Sequence, residues 1–256
     1  MHPIAFKLGT FDVHWFGVLV ACGFLAGLWT ASRRGARHGL TPDQVGDSGA
    51  WLIIGAMLGA RGLYVATYWE VFEGKPWWEV FMIQKGGIVY YGGFAGACLA
   101  TILYCHFRRV PLWKLADALA PSIALGSAFG RIGCFLNGCC YGRECSLPWA
   151  VPSVAEGKVN PVHPTQIYDS LLNLGLYALL AWFYRRKKFD GQVFAAYLIC
   201  YAFARSFVEY FRGDYDAAHR HAGFFTPAQL VSVGILAGGI VLFFILQRRR
   251  AEARAR

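Results

Sequence analysis

Seven stretches of about 20 predominantly apolar residues constrain this chain more than any other feature of its sequence. About 20 helical residues cross the roughly 30 Å hydrocarbon core of a bilayer, and a helix satisfies its own backbone polar groups there. We predict spans over residues 13–31, 50–68, 86–107, 115–135, 166–184, 191–211 and 227–246. The composition agrees, since 56% of the residues are hydrophobic and 16% are charged. The prediction is an all-α polytopic membrane protein with about seven transmembrane helices.

The connecting segments differ in basic charge. Most Lys and Arg residues lie in alternate segments, namely 33–37, 108–114, 185–188 and the chain after 247. Basic segments stay on the cytoplasmic side, so we predict a periplasmic N-terminus and a cytoplasmic C-terminus. This placement accounts for the net charge of +10 without a nucleic-acid partner. We expect a single integral-membrane domain over 1–256, with external loops at about 69–85, 136–165 and 212–226.

Three arginines lie inside predicted spans, and the same half of the bilayer is predicted for all three. They are Arg61, Arg131 and Arg205. A cation within a bilayer costs several kcal/mol, so it is retained where it has a partner or a task. Glu209 follows Arg205 by one helical turn and is placed to neutralise it. The remaining positive charge predicts a binding site for an anionic group such as a phospholipid phosphate, which guanidinium groups bind through two oxygens at once.

Plainer explanations of these arginines stay open. Each arginine could belong to a separate structural ion pair, with Asp117 or Asp169 as the partner. Arg131 could also extend from a helix end to the headgroup region. Neither explanation requires a ligand.

The stretch from 130 to 142, GRIGCFLNGCCYG, resembles the signature of the bacterial prolipoprotein diacylglyceryl transferases, G-R-x-G-N-F-x-N-x-E-x-x-G. The resemblance extends along nearly the whole chain. His14 to Gly17 is similar to the H-W-Y-G of the first helix, and His163 to Tyr168 is similar to H-P-S/T-Q-x-Y. Further matches are Arg61, the paired glycines at 86–87 and 92–93, and Tyr201, Arg205, Glu209 and Arg212 in the sixth helix.

The resemblance implies a reaction and a set of partners. Phosphatidylglycerol donates its diacylglyceryl group to the lipobox cysteine of a prolipoprotein signal peptide, and glycerol phosphate leaves. The expected location is the bacterial inner membrane, and no metal or other cofactor is required. The implied catalytic residues are Arg131, Arg205, Glu209 and Tyr91. The implied substrate-binding residues are Arg131, Arg61, Asn137, Gly142, Tyr201 and His163.

This chain departs from the family pattern at four positions. Phe16 and Tyr91 stand where the family has tyrosine and histidine, and Cys134 and Cys139 stand where it has asparagine and glutamate. The departures leave the general base open. Tyr91 and His163 are candidates, and the substrate thiol could also lose its proton beside the arginines. The arginines themselves match the pattern.

Two other functional classes remain at this point. Buried arginines would also suit a transporter or flippase for an anionic lipid, although the sequence has no inverted repeat. A membrane thiol oxidoreductase would use Cys134, Cys139, Cys140 and Cys145, although the chain has no CxxC spacing.

Overall fold

Seven long α-helices make up most of the structure. The computed structural model describes residues 3–8, 11–83, 86–155, 158–212 and 226–255. Within these ranges the helices are α1 (Trp15–Gly35), α2 (Pro42–Thr67), α3 (Tyr90–Phe107), α4 (Leu112–Asn137), α5 (Thr165–Tyr184), α6 (Gln192–Phe211) and α7 (Pro227–Ala255). Each corresponds to one predicted span, so the predicted helices are confirmed with shifted ends. The predicted loop at 212–226 falls, except for its two end residues, outside the described residues.

Five of the described helices are long and apolar enough to cross a membrane: α1, α2, α4, α6 and α7. The chain is therefore a multi-pass membrane protein. The other two helices, α3 and α5, are less apolar. α3 begins with two tyrosines and two glycines, which lower its hydropathy, and α5 carries a row of buried polar side chains along its first half. Crossing by all seven helices stays a prediction.

The all-α prediction missed two β-hairpins. β1 (Ile4–Leu8) pairs with β2 (Phe11–His14), and β3 (Val151–Ala155) pairs with β4 (Lys158–Val162), both antiparallel. Residues 13–14 were predicted to begin the first helix, but they end β2. The strands have only four or five residues, which is too short for a periodic signal to stand out beside long apolar helices.

Contacts group the chain into two units, each described by itself: residues 35–115, and residues 1–34 together with 116–256. The prediction of one domain over 1–256 is not tested by this grouping. The first unit is held by α2 against α3. A methyl group on Gly59 would lie 2.2 Å from the carbonyl oxygen of Gly92, and one on Gly96 would lie 2.2 Å from that of Gly55. Each helix therefore presents a G-x-x-x-G face that lets the two backbones touch.

In the other unit, α4 packs closely on α1. A methyl group on Gly23 would lie 2.8 Å from Cβ of Phe129, and the Ser122 hydroxyl donates to the carbonyl of Gly27 at 2.6 Å. Arg34 donates from α1 to the Ser122 hydroxyl and to the Ala118 carbonyl of α4. The arginine is thus paired within the helix packing.

Asp117 of α4 caps the start of α6. Its fully buried carboxylate accepts hydrogen bonds from the backbone N–H groups of Gly191, Val193 and Phe194 at 2.8–2.9 Å. The Lys187 ammonium lies 3.0 Å from the same carboxylate. These contacts satisfy donors that a helix start leaves unpaired and complement its positive dipole end. Asp117, which was considered from the sequence as a partner for a buried arginine, therefore caps the start of α6 instead.

Candidate functional site

The signature stretch leaves α4 through a tight turn at Gly138. Gly138 has φ +76°, and its N–H donates to the carbonyl of Phe135 at 3.2 Å. The next N–H, of Cys139, donates back to the carbonyl of Cys134 at 3.2 Å. These two bonds form a Schellman motif, for which glycine supplies the left-handed backbone. The turn folds Cys139 back over the last helical turn.

Three thiols meet at this turn. The Sγ atoms of Cys134, Cys139 and Cys140 all lie within 4.8 Å of one another. Cys140 has φ +63°, a left-handed backbone that costs a residue other than glycine about 1–3 kcal/mol. The start of α5 holds this backbone in place. The hydroxyl of Thr165 donates to the Cys140 carbonyl at 2.9 Å, and the amide of Gln166 donates to the Cys139 carbonyl at 2.6 Å.

The two thiols outside the helix differ in acidity. A hydrogen bond from the Cys134 thiol lowers the pKa of Cys140, with smaller contributions from Cys139, Arg212 and Arg131, while burial opposes them. Burial instead raises the pKa of Cys139. Cys140 is therefore the more acidic of the two.

Arg131 pairs with Asp169 of α5. The closest approach joins Nε of Arg131 to Oδ2 of Asp169 at 2.7 Å. Asn173 donates to Oδ1 of the same carboxylate at 2.7 Å. The two terminal nitrogens of Arg131 make no hydrogen bond to any residue in the described ranges, and 27% of the side chain is exposed. The ion pair considered from the sequence is present, but it leaves the guanidinium fork available.

The second charge cluster lies at the end of α6. Nη1 of Arg205 lies 2.7 Å from Oε2 of Glu209, an ion pair that confirms the contact predicted from their spacing. Nη1 of Arg212 approaches the same oxygen to 4.0 Å. The hydroxyl of Thr226 donates to Oε1 of Glu209 at 2.9 Å. The fully buried carboxylate of Glu209 is thus shared by the guanidinium groups of Arg205 and Arg212.

Both clusters line one narrow cleft, which has about 180 Å³ of empty volume. Its lining consists of Arg131, Cys140, Thr165, Gln166, Asp169, Arg205, Val208 and Arg212. Three guanidinium groups face two carboxylates, those of Asp169 and Glu209, so the cluster carries a surplus positive charge. The Oε1 atom of Gln166, a residue only 1% exposed, has no hydrogen-bond partner in the described ranges. The cleft therefore combines cations, a thiol and an unsatisfied amide oxygen.

Gly142 holds three segments together beside this cleft. Its N–H donates to the carbonyl of His163 at 2.9 Å, and it forms a β-bridge with Arg212. A methyl group here would lie 2.6 Å from the carbonyl oxygen of Phe211 and 2.8 Å from Cγ2 of Thr165. The predicted substrate-binding role of Gly142 stays a prediction. Its contacts explain why a glycine is required for packing.

His163 lines an apolar groove and lies beside Gly142. It is 7% exposed, its ring packs on Phe211 at 5.3 Å, and Nδ1 lies 3.3 Å from the hydroxyl of Tyr168. Burial, followed by the charge of Arg143, lowers the pKa of His163. The groove has a volume of about 720 Å³, and its mainly aliphatic and aromatic lining includes Trp149. An uncharged His163 is compatible with this apolar surface.

Arg61 lies in the unit of residues 35–115, and its hydrogen bonds all go to backbone carbonyls, while the rings of Phe72 and Tyr64 lie 5.3 and 5.4 Å from its guanidinium carbon. Its guanidinium donates to the carbonyls of Glu79, Val80, Gly86 and Gly87 at 2.6–2.9 Å. These bonds use four of the five N–H groups of an arginine side chain. The carbonyls belong to the segment between α2 and α3, which Arg61 therefore holds in place. Its predicted role in substrate binding stays a prediction, with one N–H left for it.

The remaining predicted residues are spread over both units. Tyr91 is 67% exposed at the start of α3, and its ring lies 5.9 Å from that of Tyr90. Asn137 is the exposed last residue of α4. Tyr201 stacks on Tyr197 within α6, with ring centroids 5.7 Å apart. The functional roles assigned to these residues stay predictions.

The sequence indicated Asp169 as one possible partner for an arginine, but it did not show the row of buried polar side chains that α5 contributes. This helix buries polar residues at helical spacing: Thr165, Gln166, Asp169, Ser170 and Asn173. A polar stripe with a 3–4 residue period on an otherwise apolar helix was the available signal, because such a stripe must face partners. The Asn137-Gly138 pair at the end of α4 was a second signal, since it predicts a turn that brings Cys139 back to Cys134.

Comparison with known proteins agrees with the resemblance seen in the signature stretch. The family model described as prolipoprotein diacylglyceryl transferase matches residues 3–245. A protein of Gloeobacter violaceus named phosphatidylglycerol–prolipoprotein diacylglyceryl transferase is 35% identical over 99% of this chain and 96% of its own length. Proteins of the same name from Clostridium tetani and Bacillus cytotoxicus are 32% and 34% identical, over 98% and 99% of this chain and over 100% and 94% of their own lengths. The chain belongs to the prolipoprotein diacylglyceryl transferase family.

Proposed function

We propose that this protein transfers the diacylglyceryl group of phosphatidylglycerol to the lipobox cysteine of prolipoproteins and releases glycerol phosphate. The names of its relatives support the two substrates. The observation that carries the proposal for this chain is the cleft with three arginines and a surplus positive charge. Family membership favours a transferase over the transporter and the thiol oxidoreductase considered from the sequence.

The reaction requires stabilisation of a departing phosphate. The substrate sulfur forms a bond to the glycerol carbon of the lipid, and the bond from that carbon to the phosphate oxygen breaks. Negative charge grows on the phosphate, where fixed cations act most strongly. Arg131 lines the cleft and makes its closest contact to Asp169 through Nε, and Glu209 orients Arg205 through the 2.7 Å ion pair. Arg131 and Arg205 are therefore the proposed catalytic residues.

The apolar groove beside His163 suits the rest of a lipid or a signal peptide. Its lining includes Leu171, Leu172 and Leu179 of α5 and Phe207 of α6. An acyl chain or the apolar part of a signal peptide would bury its surface there without an unpaired polar group. Tyr91 as a proton-transfer group and Arg61 as a headgroup ligand remain predictions.

The proposed setting is the bacterial inner membrane, with the N-terminus periplasmic and the C-terminus cytoplasmic. The alternation of basic segments supports this orientation. Reporter fusions test it. A fusion after Arg37 is expected to report the cytoplasm and one after Glu73 the periplasm, and the opposite result at either site would contradict the orientation.

The activity is tested with purified full-length protein, phosphatidylglycerol and a synthetic lipobox peptide. We expect a thioether-linked diacylglyceryl peptide in the mass spectrum and one glycerol phosphate released for each peptide modified. A peptide with serine in place of the lipobox cysteine is the control. Absence of both products from folded protein would contradict the proposal.

A further inference from the structure

The three thiols at the end of α4 have the geometry of a metal site. Zinc binds thiolate sulfur at about 2.3 Å, which separates two sulfur ligands of a tetrahedral ion by about 3.8 Å. The Sγ atoms of Cys134, Cys139 and Cys140 all lie within 4.8 Å of one another, so small rotations of the side chains bring them to a common ion. The chain has no CxxC spacing, and the turn after α4 brings these sulfurs together instead.

The backbone around the thiols is fixed before any ion binds. The Schellman turn places Cys139 over Cys134, and side chains of Thr165 and Gln166 hold the carbonyls of Cys140 and Cys139. Cys140 keeps a left-handed backbone at φ +63°. Strain of this kind persists where the surrounding contacts enforce it, and it occurs preferentially at functional sites.

The surrounding charge favours this ligand set. A divalent cation held by three thiolates has a net charge of −1, which the neighbouring Arg131 and Arg212 attract. A cation held by neutral ligands would instead be repelled by the same arginines. The buried Oε1 atom of Gln166, which lacks a partner in the described ranges, is a further polar group at the cleft.

We propose that Cys134, Cys139 and Cys140 bind a zinc ion whose fourth position receives the sulfur of the lipobox cysteine. This assignment rests on the proposed function, and it departs from the expectation, implied by the family resemblance, that no metal is required. Three protein ligands with an open fourth position are typical of catalytic zinc rather than structural zinc. The acceptor thiol is thereby placed in the cleft that Arg131 and Arg205 line.

The step is balanced without an oxidant or reductant. The substrate thiol releases its proton to solvent when its sulfur binds the ion, since zinc ligation requires the thiolate. The sulfur then attacks the glycerol carbon of the lipid, and the electron pair of the broken carbon–oxygen bond leaves on the phosphate beside the arginines. The zinc ion remains divalent throughout. Binding to zinc would therefore remove the proton of the substrate thiol. The sequence had not identified a general base for this step.

Metal content is the first test. Full-length protein with a tag that lacks histidine is purified under reducing conditions, and zinc is measured by mass spectrometry. We expect one zinc per chain in the wild type and in Cys145→Ser, which changes a nearby thiol outside the cluster. Cys134→Ser, Cys139→Ser and Cys140→Ser are each expected to lose most of the zinc. A wild type with no zinc even after incubation with zinc salt, or cluster variants with unchanged content, would overturn the proposal.

The fourth position is tested with cobalt in place of zinc. Addition of the lipobox peptide is expected to increase the absorption from sulfur-to-cobalt charge transfer, and the peptide with serine is expected to leave it unchanged. Chelation is expected to lower the transfer rate about 10²-fold, the contribution typical of proton removal, and zinc is expected to restore it.

These outcomes separate the two proposals. Full transfer by protein shown to be free of metal would overturn the zinc assignment and leave the proposed function intact. Bound zinc, together with no transfer under any condition, would instead contradict the proposed function. This result would support zinc binding by the three cysteines, but it would overturn the proposal that the fourth position binds the lipobox sulfur.

Discussion

Arg61 and Arg131 both lie within long apolar helices, yet their surroundings differ in kind. Arg61 donates to four backbone carbonyls and has no carboxylate partner among the described residues. Arg131 contacts one carboxylate through Nε, and it also lines the cleft. An arginine surrounded by carbonyls shapes a segment, whereas one with an unused fork can bind an anion. Charge inside a membrane segment therefore does not by itself identify a ligand site.

The largest effect on stability is expected from Glu209→Gln. The substitution removes the negative charge of Glu209, which pairs with Arg205 and Arg212, whereas Arg61 has no such carboxylate partner among the described residues. The substitution leaves Arg205 and Arg212 without their shared carboxylate, and breaking such a buried pair typically costs 3–5 kcal/mol. We expect a lower unfolding temperature of the detergent-purified protein. Asp47→Asn, which breaks the exposed pair with Arg108, is the control and is expected to change stability by less than about 0.5 kcal/mol. Equal shifts for the two variants would contradict this description of Glu209.

A smaller effect is expected from Gly142→Ala. Its new methyl group would meet the Phe211 carbonyl at 2.6 Å, so the segments that frame the charged cluster must separate. Overpacking of this kind costs about 1–3 kcal/mol, and we expect slower transfer as well as a lower unfolding temperature. Gly130→Ala is the matched control in the same motif, because a methyl group there would have no described atom within 4 Å apart from its chain neighbours and the backbone of its own helix. A stable, fully active Gly142→Ala variant would show that the framing contacts are dispensable.

The smallest effect concerns pH. Because burial lowers the pKa of His163, the folded protein binds fewer protons at this side chain than the unfolded chain does. The stability that depends on neutral His163 is present above the ordinary histidine pKa of about 6.5 and is lost as the pH falls below it. We expect His163→Gln to weaken the decrease in unfolding temperature between about pH 7 and 5. An identical pH profile for wild type and His163→Gln would contradict this account.

The sequence was sufficient for the helices because each long apolar run carries its own periodicity and flanking charges. It was also sufficient for the Arg205–Glu209 pair, which needs only one helical turn. It was insufficient where partners come from distant segments. Asp169 was only one of two acids considered for the arginines, because the Arg131–Asp169 pair joins α4 to α5. The carbonyl contacts of Arg61 depend on the path of an irregular segment. The grouping of the three thiols likewise depends on a turn whose geometry the residue pattern only suggested.

The most direct test of the central claim compares Arg131→Lys with Arg61→Lys. Transfer rate is measured against phosphatidylglycerol concentration for folded samples of both variants. Lysine keeps the charge but lacks the planar fork, so Arg131→Lys is expected to lose roughly 10²–10³ in rate even at saturating lipid. Arg61→Lys is expected to be less stable, with a saturating rate close to that of the wild type. A near wild-type saturating rate for Arg131→Lys, or equal losses in both variants, would contradict the distinction drawn between the two arginines.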